Sequence, residues 1–192
     1  MNTESNRLSD DQKIILLKLA RTSIELAVND QPSLHINPQE YTAPLNQPGA
    51  SFVTLTKNRN LRGCIGALTP YQPLVEDVYE HAAAAAQNDY RFSPVKPEEI
   101  AILHIEISRL TLPHELVYND PKELPRILKP GKDGVILHDG FRKATFLPQV
   151  WLQIPNPETF LTQLCLKMGA SENIWRQKNL KVEIYEVEEF EE

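Results

Sequence analysis

The order hairpin, helix, strand occurs twice along this chain of 192 residues, and it constrains the fold more than any other feature. From about 50 to 110, an alternating run with a polar turn predicts a hairpin, two prolines open a helix, and a second alternating segment predicts a strand. From about 131 to 190, a hairpin with an Asp-Gly turn at Asp139 precedes another helix and a final alternating strand from Leu180 to Val187. We therefore predict an α+β fold of two hairpin–helix–strand halves. A cleft where the halves meet is a usual place for a ligand.

Outside the two halves, the N-terminal segment predicts a helix at about 10–29. Ser9 and Gln12 form a capping box at its start, and apolar residues follow at helical spacing. Four prolines between 30 and 49 indicate a long irregular connection. At the other end of the chain, the acidic run Glu188–Glu192 is expected to be solvated.

The composition bounds the class of protein. A length of 192 residues, 41% of them hydrophobic, suits a single domain covering 1–192 with a real core. The 20 basic and 26 acidic residues give a net charge of −6, so nucleic-acid binding without partners is not expected, since it needs cations to displace counterions. A polar N-terminus and the absence of a run of about 18 apolar residues predict a cytoplasmic protein that spans no membrane. The five histidines and two cysteines match no metal-ligand spacing, so no metal site is predicted.

The run Leu-Arg-Gly-Cys-Ile-Gly at 61–66 contains the leading functional candidate, Cys64. A cation beside a thiol favours the thiolate, which is the nucleophilic form. The alternative is that Cys64 is a small buried hydrophobe in a strand, as free cysteines commonly are. His81, on the next predicted helix, is the candidate base for such a nucleophile, although a lone histidine on an apolar face is more often a packed core residue.

The neighbours of this cysteine are candidates as well. Arg62 could bind a carboxylate or phosphate through its planar fork and act beside Cys64, or it could form an internal ion pair with Glu106 or Asp77. Gly63 and Gly66 let the backbone come close to another group, and this group is either a ligand or a packed element.

Two further pairs complete the set of candidate ligand-binding residues. Asp89 and Arg91 follow the Ala-rich helix, where they either contact a ligand or form a local ion pair that caps the helix. In the second half, Thr145 takes the position equivalent to Gly63, and Gln149 lies close to it. A neutral polar pair suits binding better than proton transfer, and the alternative is a corner that satisfies its own backbone.

Several motifs, taken together, resemble the AMMECR family, whose microbial members are called AmmeMemoRadiSam system protein A. The similarity runs in the same order from about residue 10 to 190, and the LRGCIG run followed by TFLPQV is highly specific to this family. The matching runs are ASFVTL at 50–55, LRGCIG at 61–66, PLV at 73–75, NDYRFSP at 88–94, IEIS at 105–108, GKDG at 131–134, TFLPQV at 145–150 and FLTQLCLK at 160–167. One departure is Ala144, where the family usually has a glycine before the TFLPQ run.

The resemblance implies an α+β fold of two subdomains, with a partly barrel-like sheet and a cleft between them. It also implies a role beside a Memo-like protein, related to extradiol dioxygenases, and a radical SAM protein. Two cysteines cannot fill the usual ligand set of an iron–sulfur cluster. Iron–sulfur, SAM and metal chemistry are therefore expected only in the partner proteins, and no cofactor is expected in this chain.

Three functional hypotheses follow from these features. The first is an enzyme or enzyme subunit that binds a small molecule or macromolecular substrate in the cleft, with Cys64 and Arg62 as the reactive pair. The second is a non-catalytic adaptor that presents a substrate to the two partners. The third and weaker one is an RNA-binding scaffold, against which the acidic charge balance counts. No complete set of acid, base and nucleophile is identifiable, so we expect a component of a modification pathway that does not work alone.

Overall fold

The computed structural model describes residues 7–192, which form two compact units. The first unit contains the described residues up to Thr111 together with Glu188–Glu192, and the second contains Leu112–Val187. In chain order the helices and strands are α1 (Asp10–Val28), β1 (Pro48–Lys57), β2 (Asn60–Gly66), β3 (Gln72–Pro73), α2 (Leu74–Gln87), β4 (Leu103–Leu110), β5 (His114–Glu115), α3 (Leu124–Ile127), β6 (Gly134–Asp139), β7 (Arg142–Phe146), α4 (Pro157–Lys167), α5 (Ile174–Gln177), β8 (Lys181–Tyr185) and β9 (Val187–Glu191).

The predicted α+β class is confirmed. Over residues 7–192 the strands form two sheets, and neither closes into a barrel, so the barrel-like sheet that the resemblance implies is open here. In the same described part of the chain, the helices are all too short or too polar to cross a bilayer.

Helix α1 begins where the sequence predicts, and its capping box is confirmed. Ser9 Oγ accepts a hydrogen bond from the Gln12 amide at 3.3 Å, and Gln12 Oε1 accepts one from the Ser9 amide at 2.9 Å. These bonds satisfy two backbone N–H groups that have no partner within the helix. The buried face of α1, which includes Leu16, Ala20 and Ile24, packs into the core of the first unit.

The sheet of the first unit has the strand order β2-β1-β4-β9, with the short β3 also paired to β1. Alternate residues of β1 and β4, such as Leu55 and Ile105, are fully buried in the core that contains α1 and α2. The register pairs Thr54 of β1 with Cys64 on one side and with Glu106 on the other. Because successive strand residues point to opposite faces, these three side chains share the face that is turned away from α1 and α2.

Strand β9 contains most of the acidic run that was expected to be solvated. Glu189, Glu191 and Glu192 are exposed as expected, whereas Glu188 is half-buried. Glu188 accepts hydrogen bonds from the Leu8 amide at 3.2 Å and from Arg109 at 2.8 Å, and Glu192 pairs with Arg21. Glu188 and Glu192 thus have partners in the first unit, and the run pairs with β4 as an edge strand whose other acidic side chains reach solvent.

The second unit has a sheet of order β5-β8-β6-β7. Its predicted hairpin is present, with Val135 paired to Phe146 across β6 and β7. Trp151 stacks on Phe160 of α4 with ring centroids 3.6 Å apart, and both rings are buried in the core of this unit. The order hairpin, helix, strand is therefore found in each unit.

Candidate functional site

The orientation of Cys64 is set by its neighbour Gly63. A Cβ atom on Gly63 would lie 3.0 Å from the carbonyl carbon of Ala85 in α2 and closer still to the carbonyl oxygen, a separation that real Cβ atoms do not show. Gly63 therefore faces α2, and Cys64 faces the opposite side of the sheet. There the half-buried Cys64 Sγ accepts a hydrogen bond from Thr54 Oγ1 at 3.4 Å.

Gly66, the second glycine of the motif, also permits a close approach. A Cβ atom there would come within 3.0 Å of the Ser51 carbonyl oxygen and of the Phe52 ring on β1. Packing against α2 and β1 thus accounts for both glycines, and binding of a ligand by Gly63 and Gly66 stays a prediction.

Asp89 and Arg91 form a clamp on the backbone of Cys64. The Cys64 amide donates to Asp89 Oδ2 at 2.8 Å, and Arg91 Nη2 donates to the Cys64 carbonyl oxygen at 3.2 Å. Arg91 also donates to both Asp89 oxygens, at 2.9 and 2.6 Å. Since β2 is the last strand of its sheet in the described part of the chain, this clamp satisfies backbone groups at an edge where no described strand pairs.

The clamp is strongly coupled electrostatically. The hydrogen bonds from Arg91 hold the pKa of the buried Asp89 carboxyl well below its usual range; burial opposes this shift and the Cys64 N–H supports it. The same pairing raises the pKa of Arg91. The structure therefore brings two predicted site residues to Cys64, as the local ion pair that was the alternative to ligand binding.

Arg62 is fully engaged by other groups of the protein. Its Nε and Nη2 donate to the two oxygens of Glu99 at 3.1 and 2.9 Å, and Nη1 donates to the Ser93 carbonyl oxygen at 2.8 Å. Only 13% of the Arg62 side chain is exposed. A ligand carboxylate or phosphate would have to displace Glu99 to use this fork.

The partner of Arg62 was not found from the sequence, where Glu106 and Asp77 were suggested; those two partners are wrong. Glu99 is buried and also bonds Lys57 Nζ at 2.8 Å. Hydrogen bonds from Arg62 and then from Lys57 hold the pKa of Glu99 well below its usual range. The pair is separated by 37 positions in the chain, and no local signal in the sequence marks it.

His81 does not lie beside Cys64. It is 7% exposed on α2, its Nδ1 lies 3.2 Å from Asp77 Oδ2, and Asp77 also accepts a hydrogen bond from Ser51 Oγ at 2.6 Å. Ser51 and His81 are on the helix side of the sheet, whereas Cys64 is on the other face. The buried Asp77 carboxylate is thus the nearby acidic group of His81, although the geometry makes no hydrogen bond to His81 Nδ1, and His81 is not placed as the base for the thiol. The spacing of four between Asp77 and His81 was a signal available in the sequence.

Glu106, which the sequence suggested only as an ion-pair partner of Arg62, lies on the Cys64 face. It lies across β1 from Cys64, with Thr54 between them. Burial raises the pKa of Glu106, and the nearby charges of Glu189 and Glu191 raise it further. The face thus presents a thiol, a hydroxyl and a carboxyl in one row across three strands.

Thr145 and Gln149 belong to the second unit. Thr145 Oγ1 lies 3.0 Å from the Tyr185 hydroxyl, and the carbonyl oxygen of Thr145 accepts a hydrogen bond from Lys167 Nζ at 2.9 Å. Gln149 is exposed in the short 3-10 helix Pro148–Leu152. A role of either residue in ligand binding remains a prediction.

Ala144, which stands where the family usually has a glycine, is 8% exposed and packs in the core of the second unit. The other cysteine, Cys165, is fully buried in the same core, where burial raises the pKa of its thiol. Among residues 7–192 there is no group of three histidine, cysteine or acidic side chains that could hold a metal ion.

Comparison with known proteins gives a consistent result. The family model described as AMMECR1 matches residues 17–190. A protein of Thermofilum pendens is 37% identical over 97% of this chain and 92% of its own length, and one of Methanothermobacter thermautotrophicus is 36% identical over 96% of both. The crystal structure of an uncharacterized protein from Pyrococcus horikoshii superposes with a TM-score of 0.73 and 37% identity, covering 96% of this chain and 93% of that one.

Proposed function

The chain belongs to the AMMECR1 family, and on this premise we propose that it is the small component of a modification pathway that acts with a Memo-like protein and a radical SAM protein. A substrate or ligand binds on the face of the first sheet that carries Cys64. The two partners supply the iron–sulfur, SAM and metal chemistry, and this chain supplies the thiol face.

One observation carries this proposal: the side chain of Cys64 is not part of the core, while its amide and its carbonyl oxygen are both held by the clamp of Asp89 and Arg91. A group that must meet a substrate benefits from a fixed position, because the geometry is then set before binding. Thr54 donates to the sulfur, and Glu106 adds a carboxyl on the same face. These are the polar groups that would orient a substrate beside the thiol.

The proposal is tested by Cys64→Ser in a reaction reconstituted with the two partner proteins. The native protein is also treated with iodoacetamide, and the alkylation of Cys64 and Cys165 is followed peptide by peptide. Because Cys165 is fully buried, it serves as the internal control. We expect Cys64 to react at least about tenfold faster than Cys165 and the Cys64→Ser protein to fold but to lose pathway product. Full product formation by Cys64→Ser would refute a chemical role for the thiol, and failure of the three proteins to associate would refute the pathway.

A second candidate function, a non-catalytic adaptor, is favoured by Tyr90. This side chain is 94% exposed, although its neighbours Asp89 and Arg91 are fixed to Cys64. Exposed tyrosines on a rigid support are common anchors of protein interfaces. The adaptor function predicts that Tyr90→Ala weakens association with the partners while Cys64→Ser remains active. The pathway function instead predicts that Cys64→Ser loses product formation and that Tyr90→Ala affects it less.

A further inference from the structure

A groove of about 400 Å³ lies between the segment 33–36 and α2 in the first unit. This volume is within the range of small ligand sites. The groove is separate from the Cys64 face, since its residues of α2 include Glu76, Glu80 and Ala84 and not Ala85, against which Gly63 packs. No residue of the functional site described above lines it.

The walls of this α2 groove are fixed by hydrogen bonds. The Leu34 amide donates to the Tyr79 hydroxyl at 2.8 Å, which ties the segment 33–36 to the helix. The Tyr79 carbonyl oxygen accepts from Ser23 Oγ of α1 at 2.6 Å, and both Tyr79 and Ile36 are buried. The groove is therefore formed before any ligand arrives, which lowers the entropic cost of binding.

The charge of the groove is negative. Glu76 and Glu80 lie one helical turn apart and both line it. The described residues that line it include one basic side chain, His35, and no lysine or arginine. Gln72 Nε2 donates to Glu80 Oε2 at 2.9 Å and to the Tyr71 hydroxyl at 3.0 Å, which holds the Glu80 carboxylate in place. Burial and then the charges of Asp77 and Glu80 raise the pKa of the neighbouring Tyr71.

Part of the lining suits an aliphatic stem. Leu34 is 50% exposed at the groove, and Ala83 and Ala84 form a part of the wall with small side chains that leave room above the helix. Apolar side chains beside two carboxylates match a side chain with a methylene stem and a cationic head. An anionic ligand would be repelled by the same two carboxylates.

We propose that the α2 groove binds an arginine side chain of a basic segment in a partner protein, with the guanidinium between Glu76 and Glu80 and the stem along Leu34 and Ala84. The planar fork of arginine can bond two carboxylates at once, which a point charge cannot do with the same geometry. This site does not depend on the chemistry of Cys64, and it would serve recognition of a partner in either proposed function.

The test uses N-acetyl-L-arginine amide as the probe and N-acetyl-L-citrulline amide as its neutral counterpart of nearly the same shape. Backbone amide shifts of the full chain are recorded by NMR during titration with each compound. The double variant Glu76→Gln with Glu80→Gln removes both charges and keeps the side-chain shapes. Glu25→Gln is the matched control, because Glu25 lines a different groove of about 620 Å³ on α1.

We expect the arginine compound to shift amides of 33–36 and of α2 with one saturable curve, and the citrulline compound to leave them unchanged. The double variant should bind about tenfold more weakly, and Glu25→Gln should bind as the native chain does. Equal shifts with citrulline, shifts spread over acidic residues throughout the chain, or unchanged binding by the double variant would each overturn the proposal. Cys64→Ser should bind the probe normally, so failure of this site and failure of the thiol function are told apart.

Discussion

Gly63→Ala should destabilise the first unit by about 3 kcal/mol, near the upper end of the range for overpacking. The added methyl would meet the backbone of Ala85, whose carbonyl carbon lies 3.0 Å from the new Cβ and whose oxygen is closer. Neither backbone can rotate away as a side chain could. Strand β2 and helix α2 must therefore separate by on the order of 1 Å, which loosens a close-packed core.

The assay should report on the two units separately. Both tryptophans, Trp151 and Trp175, lie in the second unit, so their fluorescence follows that unit alone. Hydrogen exchange of peptides from β1 and α2, measured by mass spectrometry, follows the first. We expect faster exchange in the first unit of Gly63→Ala than in that of the native chain. When exchange is followed with rising temperature, the midpoint of unfolding of the first unit should be about 10 °C lower.

A second variant distinguishes a clash with the backbone of Ala85 from a clash with its side chain. Because the clash is with the carbonyl group of Ala85, Ala85→Gly should not rescue Gly63→Ala, and it should add about 1 kcal/mol of helix destabilisation. Rescue by Ala85→Gly would show that side-chain crowding, not the backbone approach, explains Gly63. A loss below about 1 kcal/mol in the single variant would show that β2 can move freely against α2.

Three further predictions concern the charged contacts. Pairing with Arg91 keeps the pKa of Asp89 below its unfolded value, so this stabilisation is complete above about pH 4 and is lost as the pH falls further. Asp89→Asn should therefore lower the free energy of unfolding at pH 7 by about 1–3 kcal/mol. In urea titrations at different pH values, the free energy of unfolding of this variant should depend less on acid pH than that of the native chain. Glu99→Gln should cost about 2 kcal/mol by calorimetry, whereas the exposed neighbour Glu98→Gln should cost under about 0.5 kcal/mol. Glu188→Gln should speed hydrogen exchange in β9 and β4 by about tenfold or more, and unchanged exchange would mean that its ion pair contributes nothing.

Local signals account for what the sequence predicted well. The capping box of Ser9 and Gln12 fixes the start of α1, and turn chemistry with alternation gives both hairpins. Alternation also predicted one strand from Leu180 to Val187. The structure instead has β8 ending at Tyr185 and β9 beginning at Val187, in different sheets. A period of two shows that a segment is extended, and it carries no information about which neighbour the segment pairs with.

The site shows the same limit. The sequence identified Cys64, Asp89 and Arg91, and the structure joins them. The sequence could not reveal Glu99 as the partner of Arg62, because ion pairs between distant segments depend on tertiary packing. It also placed His81 near Cys64 only by order along the chain, and the side of the sheet that each residue faces decides against that contact.

The clamp on the backbone of residue 64 does not depend on which side chain that residue has. Asp89 and Arg91 bind the amide and the carbonyl of Cys64, which every residue except proline provides, so the clamp would hold serine, alanine or valine equally well. Gly63 and Gly66 are accounted for by packing, which is equally indifferent to the side chain between them. None of the contacts shown for residue 64 within residues 7–192 requires a thiol, apart from the weak bond from Thr54. Cys64→Ser keeps every backbone contact, and any loss that it causes beyond a small change in stability belongs to the chemistry of the sulfur.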